Sequence, residues 1–374
     1  MSHDRSGDRE LSALLPLKIS GRHYGDNLAR LDLLFSSLTH YGAPGWLGEL
    51  LVVARADELD LVRRYLAHWP ELPLRIVVED EHFPAFRRFT RPWQVRPWQR
   101  QQIIKLNAPA LTTSPFVLTL DPDVIAVKPI TRELLLPHGR AILEPEARRV
   151  HGRWWRDSAD LLGVDPRLAE PGMNVTPALL STSVLNELQR RLEAIGGRPW
   201  MEVLLASYCD WTEYTLYLLT AEQSDAVNRY HLWADDPQAL AHVHTRPDVS
   251  IWDSATASRE HLERLFTSED PGLFAVVQSN SGLAPSDLAA VAENHFPVRS
   301  IRTGQPIRQG PPAKLRERSR VAMRIVAQGV YRIRRTLGQR KRRSPHSAGA
   351  APVSGRADAT LAVEVDPASR TRPG

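Results

Sequence analysis

Asp121 and Asp123 stand one residue apart at the end of the apolar run Phe116-Val117-Leu118-Thr119-Leu120. Burying an unpaired charge is costly, so two carboxylates closing a buried strand must reach solvent or hold a cation. The spacing lets both approach one divalent ion. Hard oxygen ligands suit Mg²⁺ or Mn²⁺, which complete their shells with water and substrate phosphates. In open α/β sheets ligands bind outside the carboxyl ends of the strands, where this pair falls. Asp-Pro also opens ordinary turns after strands, so the pair by itself leaves a purely structural reading open.

Three further groups carry chemistry by type and spacing. Trp98, Gln102 and Lys105 fall on one face of a helix predicted over Trp98 to Ala108. On that face a lysine can reach a diphosphate while the flat groups hold a base or sugar; an ordinary surface lysine beside a core tryptophan fits equally well. Asp210 and Glu213, three apart in a helix predicted over 199–222, share a face, and either carboxylate there suits a general base. His242 and His244 alternate in a short strand and therefore share one side, as metal ligands or as exposed edge residues.

The elements that must position these groups alternate. Leu14–Ile19, Glu49–Ala54 and Leu74–Val78 read as strands, separated by helices over Leu28–Tyr41, with Asp26 or Asn27 as cap, and over Glu58–Trp69. Alternation at these lengths predicts an α/β fold with a mostly parallel sheet covered on both faces. Residues 144–172, with Trp154 and Trp155, lack clear periodicity and read as a long irregular binding connection. Met1 to about residue 13 reads as a lead-in, residues 14–300 as one domain.

In order along the chain, the segments Leu17-Lys18-Ile19-Ser20, Trp98 to Leu106, Asp121-Pro122-Asp123, Gly172 to Pro177, Trp211-Thr212-Glu213-Tyr214 and Val277-Gln278-Ser279-Asn280 resemble the GT-A class of nucleotide-sugar glycosyltransferases. More narrowly, they resemble an uncharacterised bacterial domain-of-unknown-function family placed near that class. The resemblance implies a GT-A-like, Rossmann-type fold with a nucleoside-diphosphate sugar as donor and Mn²⁺ or Mg²⁺ as cofactor. It implies that Asn174 and Thr176 touch the sugar, that Glu213 is the base with Asp210 as alternate, and that His244, or else His242, joins Asp121 and Asp123 at the metal. The acceptor stays open among glycans, lipid-linked and small molecules. Haloacid-dehalogenase-type phosphatases also place Asp-x-Asp after a strand, but normally the first of the domain, whereas at least three precede Asp121. A catalytically idle surface protein of the same fold is the other alternative.

The formal charge of +5 is unevenly placed. Residues 311–343 hold twelve Lys/Arg against Glu317, a net of +11, which leaves −6 for the rest. A mildly acidic body argues against nucleic acid as the main partner. Within the basic segment Ala322, Val326, Val330, Ile333 and Leu337 form an apolar stripe, so residues 314–343 predict an amphipathic helix for an anionic membrane surface. Residues 344–374 read as disordered. One cysteine, Cys209, gives no internal disulfide and suits a reducing cytosol. With no run of ~20 apolar residues and no signal pattern, the expectation is a cytoplasmic protein, peripheral at the inner face of the membrane.

Overall fold

The computed structural model describes residues 10–19, 24–89, 95–173, 175–207, 209–254, 258–279 and 281–301. The basic segment 311–343, the tail 344–374, most of the lead-in and Asn174 lie outside them.

The strands are β1 (Leu11–Pro16), β2 (Glu49–Ala54), β3 (Leu74–Val78), β4 (Phe116–Thr119), β5 (Val124–Ala126) and β6 (Ala141–Leu143). They continue as β7 (Glu146–Ala147), β8 (Pro171–Gly172), β9 (Ala178–Ser181), β10 (His231–Trp233), β11 (His242–His244) and β12 (Gly272–Val276). The main sheet has the order β3-β2-β1-β4-β9; all its pairs are parallel except β4 with β9. Every residue of β1 and β4 is buried, as continuous apolar strands covered on both faces must be. Helices Tyr24–Tyr41, Leu59–Leu66, Pro97–Leu106 and Thr182–Gly196 flank this sheet. The expected mixed, mostly parallel α/β architecture is what the chain adopts.

After β4 the chain turns through Asp121-Pro122-Asp123 and enters a second sheet, β11-β12-β5, in which β5 is antiparallel to β12. Its own apolar cluster includes Leu33, Ile125, Val249, Leu265, Ala275 and Val291. The aspartate pair therefore sits at the junction of two sheets. Among the described residues no helix is long and apolar enough to cross a membrane.

Several expected boundaries move. β1 begins at Leu11, so Leu11–Ala13 are strand and not lead-in; Ser12 is buried because its hydroxyl bonds Ser114 at 2.7 Å. The first helix starts at Tyr24, which places Asp26 inside its first turn instead of at its cap. The helix expected over 199–222 is two helices, Trp200–Leu205 and Glu213–Gln223. The second opens on a capping box between Thr212 and Thr215, and fully buried Trp211 precedes it, its indole donating to Ser207. Residues 144–172 are also more regular than expected. They hold the helix Gly152–Leu162, closed by Gly163 at φ +70°, inside the β7–β8 ladder.

His231 on β10 gives the fold a pH dependence. Its Nδ1 meets the carbonyl of Ala141 at 3.1 Å, which can only accept, so Nδ1 carries the proton and Nε2 accepts from Tyr217 at 2.6 Å. Burial lowers its pKa from 6.5 to about 4. The unfolded chain then binds the proton more readily, so this stability is complete above the unfolded pKa and is lost as pH falls toward the folded one. Urea unfolding at pH 7 and pH 4.5 is expected to show a loss of roughly 2 kcal/mol from this residue. In His231→Gln the slope should flatten, whatever the variant's absolute stability; an unchanged slope would refute the assignment.

Candidate functional site

Helix Pro97–Leu106 has proline at its first position, where the missing N–H costs nothing, after an extended Arg96. Trp98, Gln102 and Lys105 all line one cavity of about 720 Å³. Their exposures reverse the plainer expectation: Lys105 is 2% exposed and Trp98 37%. A surface lysine beside a core tryptophan is not what the chain builds.

Lys105 Nζ lies 3.1 Å from Asp121 Oδ2, 3.2 Å from Glu213 Oε1 and 2.9 Å from Thr176 Oγ1. Burial works against its charge, but Asp121 and the groups around it outweigh that, and its pKa stands well above that of ordinary lysine. From the ammonium the hydroxyls form a directed chain. Lysine can only donate, so Thr176 accepts from it and passes its own proton toward Tyr214 at 2.6 Å. Tyr214 donates to Thr119 at 2.8 Å, and Thr119 donates to the carbonyl of Ala178 at 3.1 Å. The end of β4, the start of β9 and helix Glu213–Gln223 are thereby tied to one ammonium.

Asp123 is held from the other sheet: its carbonyl accepts from Val277 N at 2.9 Å, and Val277 O accepts from buried Arg30 at 2.7 Å. Burial and the neighbouring Asp121 raise the Asp123 pKa to about 6, against the pull of Arg30 and Lys105. Asp121, Asp123 and Glu213 thus set three carboxylates against the cations Lys105 and Arg30. Asp121 Oδ1 is buried without a hydrogen-bond partner, and so is Nδ1 of His244. Burial lowers the His244 pKa to about 4, which keeps the imidazole neutral, the form that binds metals. A surplus carboxylate and unpartnered oxygen and nitrogen atoms fit a divalent cation in donor type. Among the described residues, however, no three His, Cys, Asp or Glu side chains gather as a ligand cluster.

The strand with the histidines is aimed by Glu144, which follows β6. One oxygen meets His242 Nδ1 at 2.8 Å and the other accepts from Val243 N at 3.0 Å. At Gly272 a Cβ would lie 2.2 Å from Thr245 N and 2.3 Å from His244 O, so only glycine lets β12 approach β11 this closely.

Asp210 and Glu213 do not share a helical face, because Asp210 lies in the non-helical stretch before the helix that opens at Glu213. Asp210 pairs with Arg153 at 2.9 Å and Arg96 at 3.7 Å and is absent from the cavity wall. Glu213 does line the cavity, but its carboxylate is only 4% exposed and lies on Lys105, and its N–H donates to Gln102 Oε1 at 3.1 Å. Burial raises its pKa while Lys105 opposes the rise.

Sequence reasoning brought together Gln102, Lys105, Asp121, Asp123 and Thr176 in one place, with His242 and His244 on the same cavity wall as all of these but Asp123. It passed over Arg30 and Glu144, each of which reads along the chain as a surface charge. It also missed the order within 144–172, where Trp155, Ser158, Ala159 and Leu162 carry a buried helical spacing before a glycine stop. From that helix Trp154 reaches the cavity mouth, stacked on His151 with centroids 4.2 Å apart and tilted against Trp98 at 5.8 Å.

A family model described as a family of unknown function, DUF6492, matches residues 8–300. The comparison with curated proteins gives no match. Among solved structures, apo xyloside xylosyltransferase 1 from mouse is similar at 13% identity over 73% of this chain and 99% of that one, with a TM-score of 0.43. Glucosyl-3-phosphoglycerate synthase from Mycobacterium tuberculosis, in complex with Mn²⁺, uridine diphosphate and glucosyl-3-phosphoglycerate, is similar at 14% identity. That match covers 60% of this chain and 70% of the other, with a TM-score of 0.34. At these scores neither likeness carries an argument about the site.

Proposed function

We propose that this chain, which belongs to the DUF6492 family of unknown function, is a metal-dependent glycosyltransferase of GT-A type that moves a sugar from a nucleoside-diphosphate sugar to an acceptor. One observation carries the reading: a buried ammonium, Lys105, and the carboxylate Asp121 meet at the carboxyl end of β4, at the wall of a ligand-sized cavity. Asp121 and Asp123 are the residues that would hold Mn²⁺ or Mg²⁺, with His244 the nitrogen donor that the GT-A resemblance assigns. When bound, the cation would offset charge on the departing nucleoside diphosphate. Lys105 presents a fixed positive charge to the donor phosphates, Thr176 faces the sugar, and Gln102 braces the helix that carries Glu213; Asn174, outside the described residues, keeps the sugar contact that the GT-A resemblance implies. Glu213 in this reading holds Lys105 protonated and in place, and does not itself take the acceptor's proton.

The test is ligand-induced stabilisation, since whatever binds only the folded state must raise its apparent stability, by about 2.7 kcal/mol at a hundredfold excess over Kd. Uridine, guanosine, adenosine and cytidine diphosphates are each scanned with and without Mn²⁺. At least one is expected to raise Tm only with the metal, and Asp123→Ala is expected to abolish that rise while melting within a few degrees of the parent. No response to any of the four, with Mn²⁺ or Mg²⁺, would sink the reading.

A further inference from the structure

The cavity reaches beyond the ion cluster of Asp121, Lys105 and Glu213. Its described wall begins at Trp98 and includes nothing from β1, β2 or β3. It therefore opens from Asp121 and Lys105 toward β9, the β7–β8 ladder and the small sheet, away from the strands that precede Asp121. Lys105 and Trp98 are seven residues apart on one helix, a rise of roughly 10 Å. At the Trp98 end of this helix the wall carries a cluster of flat rings. Trp98 and Trp154 stand 39° apart at 5.8 Å, and His151 lies on Trp154 at 13° and 4.2 Å. Trp98 is the most exposed large aromatic among the described residues and lines this space, with the Arg96 guanidinium 5.5 Å from its ring centroid.

The same wall carries groups that bond hydroxyls: Gln101, Glu144, Glu146 and His242. Flat rings and such groups on one wall match a ligand that is apolar on its faces and polar around its rim. A lipid chain would bury those carboxylates against methylenes, which is costly. An anionic acceptor would meet Glu144 and Glu146 as like charges, while the Arg246 guanidinium on the same wall is already paired with Asp270 at 3.3 Å.

We propose that Trp98, Trp154 and His151 form the acceptor subsite and that the acceptor is an uncharged saccharide, one ring of which stacks on this shelf. The proposal rests on the glycosyltransferase reading and assigns Trp98 to the acceptor instead of to the donor base. Both tryptophans are partly exposed, so truncating either leaves the core intact.

The experiment follows saturation-transfer NMR of the full chain with cellobiose, maltose, xylobiose and cellobiouronic acid, in the presence of Mn²⁺ and each of the four nucleoside diphosphates. Calorimetry of the nucleotides is run in parallel. At least one neutral disaccharide is expected to bind and the uronic acid to bind more weakly. Trp154→Ala and Trp98→Ala should each weaken the disaccharide at least tenfold and change nucleotide affinity less than twofold. Loss of nucleotide binding in either variant would make the shelf a base site and overturn the proposal. Intact nucleotide binding with no response to any neutral disaccharide would overturn the saccharide assignment alone. A parent chain that binds no nucleotide would fail the donor reading instead, and a shelf-dependent disaccharide signal in that case would still uphold the subsite.

Discussion

Replacing Lys105 with methionine is expected to lower the unfolding free energy by roughly 3–5 kcal/mol, the cost of breaking a buried ion pair from one side. The ammonium serves two carboxylates, at 3.1 Å and 3.2 Å, and one hydroxyl. Glu213 is the partner left in difficulty, since it is buried and has no other cation within ion-pair distance among the described residues. Adding Glu213→Gln to Lys105→Met should therefore restore part of the loss, giving a favourable coupling in a double-mutant cycle. Function should not follow stability back. If Lys105 faces the donor phosphates, both the single and the double variant should bind nucleoside diphosphate ~10–100-fold more weakly, the size of a hydrogen bond to a charged group. Urea unfolding with calorimetry separates the two effects. A Lys105→Met protein within 1 kcal/mol of the parent would mean that the ion cluster does not hold the site together.

The second large effect is expected at Arg148, which touches no cavity residue's reactive atoms yet organises the segment leading to Thr176. Its guanidinium is fully buried, donates to Pro171 O at 2.9 Å and Pro166 O at 3.0 Å, pairs with Glu222, and lies 4.2 Å over the Trp155 ring. Methionine would fill much of the volume but leave two carbonyls and Glu222 without their donor, for a loss of roughly 3–5 kcal/mol. The damage should be local first. Arg167, at φ +47°, lies in the stretch that Arg148 pins, so trypsin cleavage there should accelerate about tenfold for each 1.4 kcal/mol of local stability lost. Cleavage at the parental rate in a destabilised Arg148→Met would show that this stretch is held by something else.

The main sheet was legible because β2, β3 and β4 are short apolar runs bounded by turn residues, and nothing in their surroundings opposes that preference. β1 was read three residues late because Ser12 looks like a polar stop. Its burial is made tolerable by Ser114, more than a hundred positions away, which no local pattern reveals. The break at 206–212 has the same character: no proline or glycine marks it, and it is fixed by Trp211 entering the core. Its one readable signal was the pair Thr212 and Thr215 at capping-box spacing. At the candidate site, spacing alone grouped Trp98, Gln102 and Lys105 on one helix face and paired Asp121 with Asp123, whereas Thr176, Glu213 and His244 were singled out through the family resemblance. The partners that aim them, Arg30 and Glu144, were not, because a charge becomes recognisable as buried only once the elements around it have packed.

The pairing of β4 also has a consequence for how the chain is made. One edge of this apolar strand is covered by β1, already synthesised, but the other waits for β9, about sixty residues later. At 5–20 residues per second that interval lasts roughly 3–12 s on the ribosome. Throughout it Phe116–Thr119 offers an unsatisfied, hydrophobic strand edge, the kind that recruits other chains. A chain stalled or truncated between Asp123 and Ala178 would thus carry both aspartates and still be a seed for aggregation. Chaperone demand for this protein should be concentrated in that window of translation.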